Sequence, residues 1–229
     1  MAISTQARTA VGESTDAGDY KAAFHRDALT LIIDGYGKLP DGTNDYSNED
    51  EPNITGELVR CANEHIDCLS SPEWTKFYDV TEENPEHAQE RKGKQRKRVD
   101  IVCTLTGTKP RSRMKFEAKR LKNPGFPAGK YIGQDGLGEF ISGNYAPELS
   151  VVGMLGYIQS HDSRHWAQEL SNVLEREKTQ VCLQKNTRWE EAGFINMDHC
   201  YKTRHNRPTV KRDLLVYHLL LDFVKTIRN

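Results

Sequence analysis

Three side chains, Asp100, Glu117 and Lys119, lie in two apolar stretches, RVDIVCTL and RMKFEAK, that are joined by TGTKPRS. The Gly, Pro and Ser of that connection predict a hairpin. A turn at Thr108 and Lys109 sets Ile101 opposite Phe116, Cys103 opposite Met114 and Val99 opposite Ala118, so one face is wholly apolar. Asp100 then faces Glu117 on the other side, with Cβ atoms about 5 Å apart, and Lys119 shares that face. Like charges placed opposite each other destabilise a strand pair. A divalent cation between them would remove the conflict. Oxygen ligands suit Mg²⁺ or Mn²⁺, which take one or two carboxylates, keep several waters and accept phosphate oxygens. Lys119 would then hold an attacking water or offset charge building on a phosphate. The chemistry this pattern favours is metal-assisted attack of water at a phosphate.

The elements that must carry these residues follow from periodicity. Apolar positions predict a helix over 20–36, a turn-rich acidic loop, and a second helix over 54–69 capped by Asn53 or Thr55. Glu57 sits at the edge of that helix's apolar stripe, as either a metal ligand or a solvated first-turn residue. A strand is expected in WTKFYDV, followed by a charged connection and the hairpin. After a loop over KNPGFPAGKYIGQDG come a helix over 137–145, a strand in SVVGMLGYIQ and a helix over 163–178. Strands are expected near 179–183, 194–201 and 214–222. This order predicts an α/β (α+β) fold with a mixed central sheet flanked by helices. Residues 1–19 read as a flexible arm and 20–229 as one domain.

Length and composition bound the alternatives. The chain has 229 residues, with 32 Lys+Arg against 33 Asp+Glu, a net charge of −1 that argues against a histone-like coating of nucleic acid. With 3 Trp, 9 Tyr and 7 Phe it needs a core, which excludes full disorder. No apolar run approaches the roughly 20 residues that span a bilayer, and residues 1–20 lack a secretory pattern. Five cysteines without a CxxC suit a reducing compartment, so the expectation is a cytoplasmic protein without a membrane partner. Cys61, His65 and Cys68 share one side of a helix but lack a fourth zinc ligand, and read as core packing. No GxSxG, Walker A, dinucleotide-binding glycine pattern or HExxH occurs. Residues 91–98 carry six positive charges in eight positions, on Arg91, Lys92, Lys94, Arg96, Lys97 and Arg98. Lying just before Asp100, they are candidates to bind a phosphodiester backbone. His205 and Arg207, with Lys202, Arg204, Lys211 and Arg212 nearby, form a second candidate cluster. Gln134 and Glu139 read as ordinary polar surface.

Val99-Asp100 at the head of one strand and Glu117-Ala118-Lys119 at the end of the next resemble the PD-(D/E)xK nuclease superfamily, with its restriction-endonuclease-like fold. The proline of the family motif is Val99 here. The resemblance implies an αβββαβ core over about 50–160, with 161–229 as a C-terminal elaboration. It also implies metal ligation by Asp100 and Glu117, catalysis by both with Lys119, and a further ligand on the first core helix, the place Glu57 occupies in this reading. GLGEFISGNYA, GMLGYI, RHNRP and LLVYHLLLDF are similar to segments of nuclease-like proteins of bacterial defence systems. That likeness implies Mg²⁺- or Mn²⁺-dependent cleavage of DNA in restriction or anti-phage defence, by a homodimer or within a larger complex. The same fold would also suit an RNA-cleaving enzyme, or a binding or assembly module that has lost the chemistry.

Overall fold

Alternation of Ile101, Cys103, Met114, Phe116 and Ala118 with polar neighbours sets the central hairpin. In the computed structural model, which describes residues 13–40, 45–85, 97–194 and 198–224, strands β2 (Arg98–Leu105) and β3 (Arg113–Leu121) pair antiparallel with Ile101 opposite Phe116 and Cys103 opposite Met114. That is the expected register. The ladder ends at Ile101 and Phe116, however, so Asp100 and Glu117 are not ladder partners, nor are Val99 and Ala118. Beyond this point β2 stays paired with β1 (Tyr78–Pro85), as far as Arg98 opposite Pro85. β3 continues beside β4 (Val151–Ile158), as far as Leu121 opposite Ile158. The two strands therefore part where the acidic residues stand.

The sheet has seven strands in the order β1-β2-β3-β4-β7-β6-β5, with β5 at Glu190–Glu191, β6 at Cys200–His205 and β7 at Leu214–Asp222. β1, β2 and β3 form an antiparallel meander, while β3, β4 and β7 run parallel. The fold is thus mixed α and β, with helices against a mixed sheet. Helices α1 (Glu13–Gly37) and α2 (Glu51–Ile66) set Phe24, Leu29, Ile32, Ile54 and Leu58 in a cluster with Ile101, Phe116, Leu155 and Leu219. Helices α3 (Ala128–Ile132), α4 (Leu137–Ser142) and α5 (Ser163–Arg176) set Tyr131, Phe140, Trp166 and Leu170 against Val102, Val152, Met154 and Val216. Both faces of the sheet are core, which corrects the expectation of a single apolar face. Central strands covered on both sides read as near-continuous apolar runs, as VVGMLGYI does. Each fully buried Leu, Ile or Phe contributes about 1.5–3 kcal/mol of transfer energy. At Gly153 a Cβ would lie 2.1 Å from Cδ1 of Phe116, so glycine is what lets that ring lie across β4. Val99 packs with the second cluster and Ile101 with the first, so the alternation of β2 breaks beside Asp100.

Other elements depart from the sequence reading. α1 begins at Glu13, inside the stretch read as a flexible arm. Residues 75–77 form a 3₁₀ turn before β1. The loop after β3 contains the short helix α3, and residues 179–182 are turns rather than a strand. β6 starts at Cys200 because its buried residues, Cys200, Thr203 and His205, fall later than the expected strand over 194–201. Among the described residues no helix is long and apolar enough to cross a membrane.

Candidate active site

Where β2 and β3 part, the first turn of α2 comes against them. Asp50 caps α2, its Oδ1 accepting from the Asn53 N–H at 3.0 Å, and Pro52 occupies the first turn, where a missing N–H costs nothing. Glu51 is therefore the first residue of the helix, where the dipole favours a carboxylate. Its Oε1 accepts from Lys119 Nζ at 3.0 Å and its Oε2 from the backbone N–H of Arg120 at 3.1 Å. Lys119 Nζ also donates to Glu117 Oε1 at 2.8 Å and to the Ala118 carbonyl at 2.6 Å. All three ammonium protons are thereby used. Asp100 Oδ2 accepts from the Ala118 N–H at 2.7 Å, taking a donor that the ladder to β2 has released.

Glu117 is 4% exposed, and its Oε2 is buried without a hydrogen-bond partner. Burial, then the charge of Asp100, pushes its carboxyl up to about 9. Burial also raises the Asp100 carboxyl, against the opposing pull of the Ala118 N–H. For Lys119 burial opposes the charged form, but Glu117 and Glu51 outweigh it and hold the ammonium well above its usual range. Glu117 and Glu51 thus share one ammonium, with the charge of Asp100 nearby. The buried, unpartnered Glu117 oxygen and this excess of hard oxygen donors fit a Mg²⁺ or Mn²⁺ ion held by Asp100 and Glu117. Among the described residues no group of three or more His, Cys, Asp or Glu is gathered at metal-binding distance.

The other predicted residues fall elsewhere. Glu57 is not at the site: its Oε2 accepts from Arg60 Nε at 3.1 Å and NH2 at 2.9 Å on the exposed side of α2. Because the helix starts at residue 51 rather than 54, its first-turn carboxylate facing the sheet is Glu51. His205 is 0% exposed, with Nδ1 against the Val181 carbonyl and Nε2 against Thr203 Oγ1, both at 2.8 Å, so it does not present itself to a ligand. Arg207 is 1% exposed and donates to the carbonyls of Leu149 at 2.9 Å, Ala146 at 3.1 Å and Tyr145 at 3.4 Å. It braces the 145–149 segment instead of forming a basic surface. Lys97 is engaged in an ion pair with Glu139, which is buried rather than surface-exposed, and Arg98 is exposed at the start of β2. Arg91, Lys92, Lys94 and Arg96 lie outside the described residues.

Glu51 and Gln159 are the residues that sequence reasoning missed. Gln159, 4% exposed, follows β4 and donates its amide protons to the carbonyls of Tyr46 at 2.6 Å and Glu49 at 2.8 Å. Its Oε1 accepts from Arg120 Nε at 2.6 Å. It therefore ties the segment leading into α2 to the end of β3. The signal for Glu51 was present in the string Asp50-Glu51-Pro52, which has a capping residue and a first-turn proline. No family model matches the chain, no curated protein matches it, and no solved structure does.

Proposed function

We propose that this protein is a metal-dependent endonuclease of the restriction-endonuclease-like kind, cutting DNA in restriction or anti-phage defence. The observation that carries this reading is the half-buried Asp100 beside the buried Glu117, with Lys119 and Glu51 against Glu117, at the point where two strands part. The order α2, β1, β2, β3, short helices, β4 supports it, with a meander of three strands followed by a parallel fourth.

Asp100 and Glu117 would hold the ion, with Glu51 sharing Lys119 with Glu117. The chemistry a divalent ion supplies when bound is Lewis-acid polarisation of the phosphoryl group and activation of water at neutral pH. Lys119 keeps its charge because two carboxylates flank it, so it offsets negative charge developing on the phosphate and orients the attacking water. Glu51 and the Ala118 carbonyl keep that ammonium on the line between the strands. Burial of Glu117 excludes bulk water from the carboxylates and strengthens their interactions.

The test is incubation of the purified protein with plasmid, linear duplex, single-stranded DNA and RNA, with Mg²⁺, Mn²⁺ or EDTA. DNA cleavage with metal and none in EDTA supports the proposal. Cleavage confined to RNA would replace the substrate, and no cleavage of any substrate with either metal would remove the catalytic reading.

A further inference from the structure

Beside Glu51 the chain after β3 turns back on itself. Lys122 and Phe126 bond to each other through their backbones, at 2.8 and 3.1 Å, and this brings the Phe126 ring next to Arg120. The guanidinium carbon of Arg120 stands 4.2 Å from the ring centroid, and Lys130 Nζ, from α3, stands 4.9 Å from the same centroid. Two cations on one ring repel each other, and the ring's negative face compensates each only in part.

The Arg120 side chain is held at two points. Gln159 Oε1 accepts from Nε at 2.6 Å, and the plane of the guanidinium is fixed over Phe126. Gln159 is itself immobilised by the carbonyls of Tyr46 and Glu49. Among the described residues neither terminal amino group of Arg120 has a hydrogen-bond partner, and neither Arg120 nor Lys130 is ion-paired with a carboxylate. An arginine fork already oriented loses little rotamer freedom on meeting an anion, and two parallel N–H donors match two oxygens of a phosphate. A structural arginine would spend those donors on the protein, as Arg207 does on three carbonyls.

We infer that Arg120 and Lys130, gathered on Phe126, form a binding site for a backbone phosphate of a nucleic acid. Arg120 follows Lys119 on β3, and its backbone N–H donates to Glu51 Oε2 at 3.1 Å. On this inference a phosphate on the fork lies along the strand that enters the carboxylate site. The site fixes the register of the strand and reads no base, since a phosphate contact carries no sequence information. This inference rests on the reading of the protein as one that engages nucleic acid.

The experiment is titration of a short fluorescein-labelled DNA duplex with full-length protein in Ca²⁺ over a range of salt, for the wild type, Arg120→Met, Arg120→Lys and Lys130→Ala, alongside cleavage assays in Mg²⁺. Lys130 is exposed, so Lys130→Ala tests the site without disturbing the fold. Arg120→Met is expected to weaken binding roughly tenfold and to lower the slope of log K against log salt by about 0.9, the value of one lost phosphate contact on duplex DNA. Arg120→Lys should keep most of the slope but lose affinity, because it keeps charge and not the fork. Lys130→Ala should lower the slope in the same direction. Unchanged affinity and slope in both Arg120→Met and Lys130→Ala, with a wild type that binds and cuts, overturns the phosphate site and leaves the nuclease reading standing. A wild type that binds but does not cut, with a flattened slope in the variants, keeps the site and removes the catalysis. A wild type that does not bind the duplex overturns the site.

Discussion

Asp100 Oδ2 accepts the backbone N–H of Ala118 at 2.7 Å, one strand away and one residue beyond Glu117. With this bond a side chain does what a strand carbonyl does elsewhere in the hairpin, and it marks the place where β2 and β3 separate. The gap keeps the Asp100 and Glu117 carboxylates out of bulk water and within reach of Lys119 and of α2.

The first-turn carboxylate that bonds Lys119 is Glu51, while Glu57 bonds Arg60. Glu51→Gln is expected to lower kcat/KM for DNA about tenfold or more, since it removes one of two carboxylates on Lys119 and weakens the grip on the Arg120 N–H. Glu57→Gln should leave cleavage unchanged and stability within about 0.5 kcal/mol, because it loses only an exposed pair with Arg60. Steady-state kinetics on the two variants, with circular dichroism as a control, decides between them.

The buried Glu117 is expected to make stability in EDTA fall with rising pH. In the unfolded chain its carboxyl ionises near 4.5, and in the folded protein the proton is kept up to about 9. Between those values the unfolded state has lost a proton that the folded state retains, so stability declines as pH rises through the window, by up to about 1.4 kcal/mol per pH unit. Urea unfolding in EDTA at several pH values measures this slope, and Glu117→Gln should flatten it. A metal-free protein whose stability does not change across the window would mean that Glu117 is ionised throughout.

A second buried network acts in the opposite direction. His205 Nδ1 faces the Val181 carbonyl and must donate, so Thr203 donates to His205 Nε2, His218 Nε2 donates to Thr203, and Tyr131 donates to His218 Nδ1. Each member is satisfied only while both rings are neutral. Burial lowers the His205 ring to about 4 and the His218 ring well below its usual value of 6.5. The unfolded chain takes up protons below about 6.5 that the folded chain refuses, so stability should fall as pH drops from 6.5 towards 4, as read by thermal melts across that range. Thr203→Val should cost about 1–3 kcal/mol by stranding both imidazoles.

Arg207 is a brace rather than a nucleic-acid contact. Arg207→Met should lower the melting temperature, because the carbonyls of Tyr145, Ala146 and Leu149 lose their donors. The salt dependence of DNA binding, measured below the melting transition, should not change. A smaller salt slope with an unchanged melting point would return Arg207 to the binding surface.

How far the sequence could be read depended on how local the signal was. The hairpin register was legible because one residue of slip would expose Phe116 and Ile101, and the side-chain alternation permits one solution. The end of the ladder at Ile101 was not, because it depends on Asp100 competing for the Ala118 N–H, which periodicity does not encode. Glu51 was hidden by an acidic, proline-containing string that reads as loop although Asp50 and Pro52 also read as a helix start. His205 and Arg207 lie in a basic string, yet the strand alternation of β6 turns Thr203 and His205 inward and Arg204 outward. Charge clustering along the chain was a poor guide there because tertiary contacts decide which charges meet water. Gln159 and Arg120 are joined across 39 residues, and no local pattern brings them together.

Whether Asp100 and Glu117 hold a divalent ion for DNA cleavage is measured most directly by the initial rate of plasmid nicking against Mg²⁺ concentration for the wild type and Asp100→Asn/Glu117→Gln. Saturable, Mg²⁺-dependent nicking by the wild type is expected, with a rate at least about 100-fold lower in the double variant and the fold retained. Equal nicking by the two proteins at saturating Mg²⁺ would contradict that role for the pair.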